Sequence, residues 1–132
     1  MIKVIIVDDH PIFINGLKQL IDSQPNISVI GTAENCKEFY SLVEISNPDI
    51  ILLDINLPDG NGIDLCNSIH EKTAEIGIIA VSSFSEYVYI NKMLSNGANG
   101  YLLKNANPKE FIDAINDVYN GRKYISQEIQ TI

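Results

Sequence analysis

Asp8, Asp9, Asp54, Ser82 and Lys104 are the residues of this sequence whose types and spacing could do chemistry. Each stands where an apolar, β-branched run gives way to polar residues: IKVIIV into Asp8-Asp9, IILL into Asp54, GIIAV into Ser82, GYLL into Lys104. Three carboxylates cannot all stay ionised within a few ångströms of one another unless something positive joins them. Lys104 can neutralise one, and a divalent cation is the natural answer for the rest. The candidate ligands are all oxygens, so magnesium or manganese fits, with waters completing an octahedron. Such a site is also prepared for a phosphoryl group. The cation and Lys104 would neutralise its oxygens, the Ser82 hydroxyl would donate to another, and Asp54 could attack phosphorus to form an acyl phosphate. Two plainer readings use the same residues. Asp54 could cap a turn or pair with a lysine, and the cluster could be a structural cation site or a buried salt-bridge network around Lys104.

These residues need elements that bring them together. Residues 50–62, IILLDINLPDGNG, read as a strand buried on both faces that breaks into a Pro/Gly loop directly after Asp54. Around it the pattern alternates strand and helix five times. Strands are expected over 3–7, 28–32, 50–54, 77–81 and 100–103. The first helix is expected from Pro11 to about Asp22, with Phe13, Leu17, Leu20 and Ile21 facing inward. The second covers about 36–46 behind an Asn35 cap, and Asn61 or Gly62 opens the third. Ser85 is expected to cap the fourth, roughly 86–96, and Asn107-Pro108 to start a fifth that Gly121 closes. This alternation builds an α/β fold, a doubly wound parallel sheet with helices on both faces, and ligands bind outside the carboxyl ends of its strands. All of the residues singled out above lie on that rim. Residues 1–121 make the expected domain, and 122–132 read as the start of a linker.

Composition bounds the function. The 132 residues suffice for one domain with one core. Seventeen acidic residues against nine basic ones give a formal charge of -8, which argues against a grip on a nucleic-acid backbone. Cys36 and Cys66 lack metal-ligand spacing and read as reduced thiols of a cytoplasmic protein. No segment resembles a signal peptide or spans a membrane.

The acidic pair Asp8-Asp9, Asp54 within LLDINLPDGNG, Ser82 and Lys104 in GYLLK resemble the receiver domain of two-component response regulators over essentially the whole chain. The resemblance implies a flavodoxin-like (βα)5 fold with a five-stranded sheet in the order 2-1-3-4-5. It implies that Asp9 and Asp54 ligate magnesium directly, that Asp8 acts mainly through water, and that the Asn56 main-chain carbonyl is a further ligand. Asp54 would accept a phosphoryl group from a phosphohistidine on a sensor histidine kinase, while Ser82 and Lys104 hold the phosphoryl oxygens. Tyr101 matches the aromatic switch position that follows Ser82. Such a protein is no enzyme beyond its own phosphotransfer and autodephosphorylation. His10-Pro11, GANGYLLKNA and NGRKYIS narrow the resemblance to the NarL/FixJ type. That type usually carries a LuxR-type helix-turn-helix output domain after a linker, so DNA would be met only through a C-terminal domain absent from this sequence. A homodimer on phosphorylation is implied as well, and a stand-alone relay or protein-binding module is the alternative.

Other readings fit less well. A haloacid-dehalogenase-type phosphatase needs a second acid two residues beyond its nucleophile, where this chain has Asn56. A flavodoxin needs a Ser/Thr/Gly loop after its first strand, and Asp8-Asp9-His10-Pro11 would repel the flavin phosphate. Asn105 follows Lys104 where many receivers have proline, which leaves that bond's geometry open. Serine at 82, where threonine is commoner, implies looser coupling to Tyr101. Ile12 and Ile14 are expected off the core stripe of the first helix, placed to help dock kinase helices. Phe84 is expected to shield the acyl phosphate, Tyr87, Val88 and Tyr89 to flank the switch surface, and His10 to be an ordinary residue of the helix entrance.

Overall fold

The structure, a computed structural model, describes residues 1–130. Strands β1 (Ile2–Val7), β3 (Ile50–Asp54) and β6 (Gly77–Ser82) are buried along almost their whole length, as apolar runs covered on both faces must be. Between and beyond them run α1 (Pro11–Asp22), β2 (Ile27–Ala33), α2 (Cys36–Ile45), the short strands β4 (Asn56–Leu57) and β5 (Gly60–Asn61), and α3 (Gly62–Lys72). Then come α4 (Tyr87–Ser95), β7 (Gly100–Leu103), α5 (Pro108–Tyr119), β8 (Tyr124–Ile125) and α6 (Gln127–Gln130). The main sheet is ordered β2-β1-β3-β6-β7-β8 and is parallel throughout. Setting aside the small β4-β5 hairpin, its first five strands follow the expected 2-1-3-4-5 order.

Side chains alternate across the sheet and divide the core in two. Ile5, Val7, Ile51, Leu53, Ile78 and Ala80 pack with Phe39 of α2, Leu65, Cys66 and Ile69 of α3, and Ile90 and Met93 of α4. On the other face Val4, Ile6, Ile50, Leu52, Ile79 and Val81 meet Ile14, Leu17 and Ile21 of α1 and Phe111, Ala114, Ile115 and Val118 of α5. Each fully buried side chain of this kind contributes about 1.5–3 kcal/mol, which fixes the strand register and so the positions of the strand ends.

The helix starts follow local chemistry. Asn35, Asn61 and Asn107 accept from the backbone N–H groups of Glu38, Asp64 and Lys109, and Pro11 and Pro108 open their helices. Two expectations need correction. Ser85 does not cap α4: Glu86 holds the cap position, without a side-chain bond. Ile14 is not a surface residue: it sits 6% exposed on the core stripe with Leu17 and Ile21, at the i, i+3, i+7 spacing, while Ile12 is 89% exposed.

The segment from 122, expected as a departing linker, first adds a short parallel strand to the sheet. Gly100 pairs with Tyr124 and Tyr101 with Ile125, Ser126 N–H donates to Tyr101 O at 2.9 Å, and Tyr124 Oη donates to Glu110 Oε1 at 2.8 Å. The physical reason is the open edge of β7, whose unpaired backbone groups accept any adjacent extended segment. The end of the expected linker, Thr131-Ile132, lies outside the described residues. Every described peptide bond is trans, Lys104-Asn105 included.

Candidate functional site

Strand register brings the expected residues to one rim. Val7 pairs with Leu53 and Asp54 with Val81, so Asp8, Asp54 and Ser82 leave three adjacent strands side by side. Ser82 pairs with Leu103, and Lys104 N–H donates to Ser82 O at 2.9 Å, which carries Lys104 to the same level.

The loop after Asp54 is held from several sides. Asp54 Oδ1 accepts from Asn56 N–H at 3.2 Å. Gly62 N–H donates to Ile55 O at 2.6 Å, and a Cβ on Gly62 would stand 2.1 Å from Asp54 O, so only glycine lets α3 start this close. Asp59 anchors the hairpin to α2 by accepting from Cys36 N–H and Lys37 N–H at 2.8 and 3.1 Å. A carboxylate at a helix N-terminus is favourable, and the bond from Cys36 N–H lowers the Asp59 pKa.

Within this frame Lys104 Nζ lies 2.8 Å from Asp8 Oδ2 and 3.3 Å from Asp54 Oδ2, and 5.0 Å from the centre of the Phe13 ring. Asp8 and Asp54 are 1% and 5% exposed. Burial pushes the Asp54 carboxyl above its ordinary range, opposed by Lys104. Burial also works against the Lys104 charge, yet the bond to Asp8 and the nearby Asp54 charge hold its pKa above normal. One ammonium therefore serves two buried carboxylates, with Asp9 beside them. Asp8 Oδ2 faces the Lys104 ammonium and Asp9 Oδ1 the His10 ring, and neither buried oxygen has a further hydrogen-bond partner among the described residues. Candidate ligand atoms of Asp8, Asp9, His10 and Asp54 all lie within 4.8 Å of one another. Buried oxygens with spare lone pairs around too little positive charge suit a divalent cation that prefers oxygen.

The other expected residues line the path away from this cluster. Ser82 is buried, and its Oγ accepts from Phe84 N–H at 3.0 Å. Tyr101 is fully buried and its Oη donates to Phe84 O at 2.6 Å. The Phe84 ring stacks on Tyr89 of α4, centroids 4.6 Å apart. A short relay thus runs from the end of β6 through Phe84 to Tyr101 and α4. The Asn56 side chain is exposed, and its backbone N–H is what meets Asp54.

His10, expected as an ordinary residue of the helix entrance, lies beside the cluster. Its Nδ1 lies 2.9 Å from Asp8 Oδ1, 3.1 Å from Asp9 Oδ1 and 3.1 Å from Lys104 Nζ. Adjacency to the acidic pair was the available signal, but a residue following two aspartates can point either way. The turn after β1, where His10 N–H donates to Asp8 Oδ1 at 2.8 Å, sets the largely exposed ring beside the acidic pair.

Among the described residues no helix is long and apolar enough to cross a membrane. Residues 4–116 match the response regulator receiver domain. The transcriptional regulatory protein DegU of Brevibacillus brevis is 32% identical over 128 residues, covering 97% of this chain and 54% of that protein. The nitrate/nitrite response regulator protein NarL of Escherichia coli K12 is 33% identical over 129 residues, covering 98% of this chain and 60% of that protein. The crystal structure of a LuxR-family two-component response regulator from Aurantimonas sp. SI85-9A1 superposes with a TM-score of 0.92 at 30% identity, covering 98% of this chain and 92% of that one. The chain spans little more than half the length of the curated relatives it matches. By the receiver match over nearly its whole length, and by its likeness to NarL- and LuxR-type regulators, the chain belongs to the response regulator receiver domain family: it is a signalling module.

Proposed function

We propose that Asp54 is the phosphoacceptor and that a phosphohistidine on a sensor histidine kinase is its donor. One observation carries the reading: Asp54 is buried at a strand end beside Asp8 and shares a single ammonium with it. An Asp54 oxygen forms the new O–P bond as the N–P bond of the donor breaks. The histidine nitrogen keeps that electron pair and later takes a proton. Lys104 balances charge on the phosphoryl oxygens, and Ser82 turns its hydroxyl from Phe84 N–H toward one of them. Asp9, Asp54 and the Asn56 carbonyl would hold magnesium, or manganese, with Asp8 acting through water. The cation supplies charge neutralisation for the incoming oxygens.

Phosphorylation adds charge and acceptor oxygens at the end of β3, beside Ser82 at the end of β6. Ser82 moving away from Phe84 N–H loosens the turn whose carbonyl holds Tyr101, and that changes the face formed by α4, β7 and α5. The receiver occupies residues 1–121, and the segment from 122 leads toward an output domain. DegU and NarL are named as transcriptional and nitrate/nitrite regulators. Their length supports an output in transcription through a LuxR-type DNA-binding domain, in a cytoplasmic protein that dimerises on phosphorylation. Exposed Ile12, beside the apolar groove lined by Phe13, Leu17, Pro108 and Phe111, suits docking of kinase helices.

The test is phosphotransfer from an isolated autophosphorylated histidine kinase. Label is expected to pass to the wild type and to be lost with Asp54→Asn. Transfer to Asp54→Asn at the wild-type rate would overturn the assignment.

A further inference from the structure

The β4-β5 hairpin stands between Asp54 and α2. Gly62 N–H donates to Ile55 O at 2.6 Å, so Ile55 and Gly62 form a hydrogen-bonded pair. The next pair, Asn56 with Asn61, is then of the alternate kind, whose backbone groups face away from the partner strand. The Asn56 N–H does so and meets Asp54 Oδ1 at 3.2 Å. Its carbonyl leaves on the same side. The tilt of the hairpin therefore sets where the Asn56 carbonyl stands relative to Asp54.

The base of the hairpin is well held. Leu57 and Gly62 are buried, and Asn61 caps α3 by accepting from Asp64 N–H. The tip is not packed at all: Pro58, Asp59, Gly60 and Asn61 are exposed. Ordering such a segment costs entropy that burial does not offset here. The Asp59 carboxylate supplies the hold. Its Oδ1 accepts from Cys36 N–H at 2.8 Å and its Oδ2 from Lys37 N–H at 3.1 Å, so it is fixed in direction as well as position. Gly60 lets the tip lie this close, since a Cβ there would stand 3.1 Å from Cys36 Sγ. The helix has its own cap, because the Asn35 side chain accepts from Glu38 N–H. The contact therefore matters more to the hairpin than to α2.

We infer that Asp59 is a positioning residue for the phosphoacceptor site: by clamping the hairpin tip to α2 it holds the Asn56 carbonyl where a cation beside Asp54 needs it. This rests on the cation site and the phosphotransfer proposed above. Asp59 is not itself a ligand and touches no reacting atom. Without it the chemistry stays intact, but cation binding has to order the hairpin as well. Magnesium binding then weakens about tenfold, the low end for a group that supports a metal ligand from outside, because the clamp is open to water.

The test compares Asp59→Ala and Asp59→Asn with the wild type. Hydrogen exchange at the Cys36 and Lys37 amides reads the clamp. Magnesium titration, followed at the amides of Asp9 and Asp54, gives Kd, and phosphorylation by acetyl phosphate is measured as a function of magnesium. Asp59→Ala should exchange faster at both amides, bind magnesium about tenfold more weakly and regain the wild-type rate at saturating magnesium. Asp59→Asn keeps an acceptor oxygen and should recover most of the affinity. A cap that served α2 alone would speed exchange and leave the magnesium Kd unchanged. That result, or a rate that stays low at saturating magnesium, would overturn the role of Asp59 and leave the cation site standing. Magnesium that shifts neither amide in the wild type would overturn the cation site and this inference with it.

Discussion

Replacing Lys104 by methionine keeps an unbranched apolar side chain and removes the one ammonium that sits between Asp8 and Asp54 and over the Phe13 ring. Both carboxylates are almost fully buried, and Lys104 keeps only 17% of its side chain exposed, so solvent screens the pair weakly. Removing one partner of such a pair costs about 3–5 kcal/mol, because the remaining charge is left uncompensated. The low end applies here, since Asp54 can take up a proton. At roughly 2.1 cal/mol/K of unfolding entropy per residue, about 3 kcal/mol over 132 residues lowers Tm by about 11 °C. The pH dependence follows from the Asp54 pKa, which burial already raises and loss of Lys104 raises further. A carboxyl whose folded pKa exceeds its unfolded value destabilises the fold above that folded pKa, and the penalty is relieved as pH falls through it. The gap between wild type and Lys104→Met should therefore narrow from neutral pH toward the ordinary carboxylate range near about 3.9. Magnesium at about a hundred times its Kd returns about 2.7 kcal/mol. The variant should bind it more tightly than the wild type, because no ammonium competes for the site. Thermal unfolding followed by circular dichroism, across pH and with and without magnesium, reads all three effects. A Tm loss below about 3 °C at neutral pH, a gap that widens on acidification, or no response to magnesium would refute the reasoning.

Other perturbations probe the frame around the site. Gly62→Ala sets a Cβ against the Asp54 carbonyl, so the loop must shift; a cost of about 1–3 kcal/mol by urea denaturation is expected, with slowed phosphorylation by acetyl phosphate. Ile14→Ser opens the core under β1 and should cost about 3 kcal/mol. Ile12→Ser, at an exposed position, should stay within about 0.5 kcal/mol of wild type yet slow phosphotransfer from the kinase. Tyr101→Phe removes the bond to Phe84 O and should cost about 1 kcal/mol. Burial raises the Tyr101 and Tyr124 pKa values, so in an alkaline absorbance titration their phenolate signals should appear above the ordinary tyrosine range near about 10. Phe84→Ala should shorten the lifetime of phosphorylated protein, measured by loss of label, and an unchanged lifetime would remove the shielding role given to Phe84.

Much of this was legible in the sequence because apolar runs report burial directly. IILL and GIIAV could only be central strands, and the polar residue ending each run had to emerge on one rim. The Asn35, Asn61 and Asn107 caps were legible for the same local reason. What escaped depends on direction and on distance along the chain. Helical spacing alone admits more than one stripe through IFINGLKQLI, and the sheet decides that Ile14 is inside and Ile12 outside. Tyr124-Ile125 carries no strand signal long enough to see; its strand exists because β7 offers an open edge some twenty residues earlier in the chain. His10 was read as an ordinary residue of the helix entrance, and nothing local shows that its Nδ1 comes within 2.9 and 3.1 Å of Asp8 and Asp9.

The most direct test of the account is intact mass after incubation with acetyl phosphate or phosphoramidate, with and without magnesium, on wild type and Asp54→Asn. The account predicts a gain of one phosphoryl group that requires magnesium and is absent from the variant. A wild type that gains nothing, or an Asp54→Asn protein that gains as much as the wild type, would contradict it.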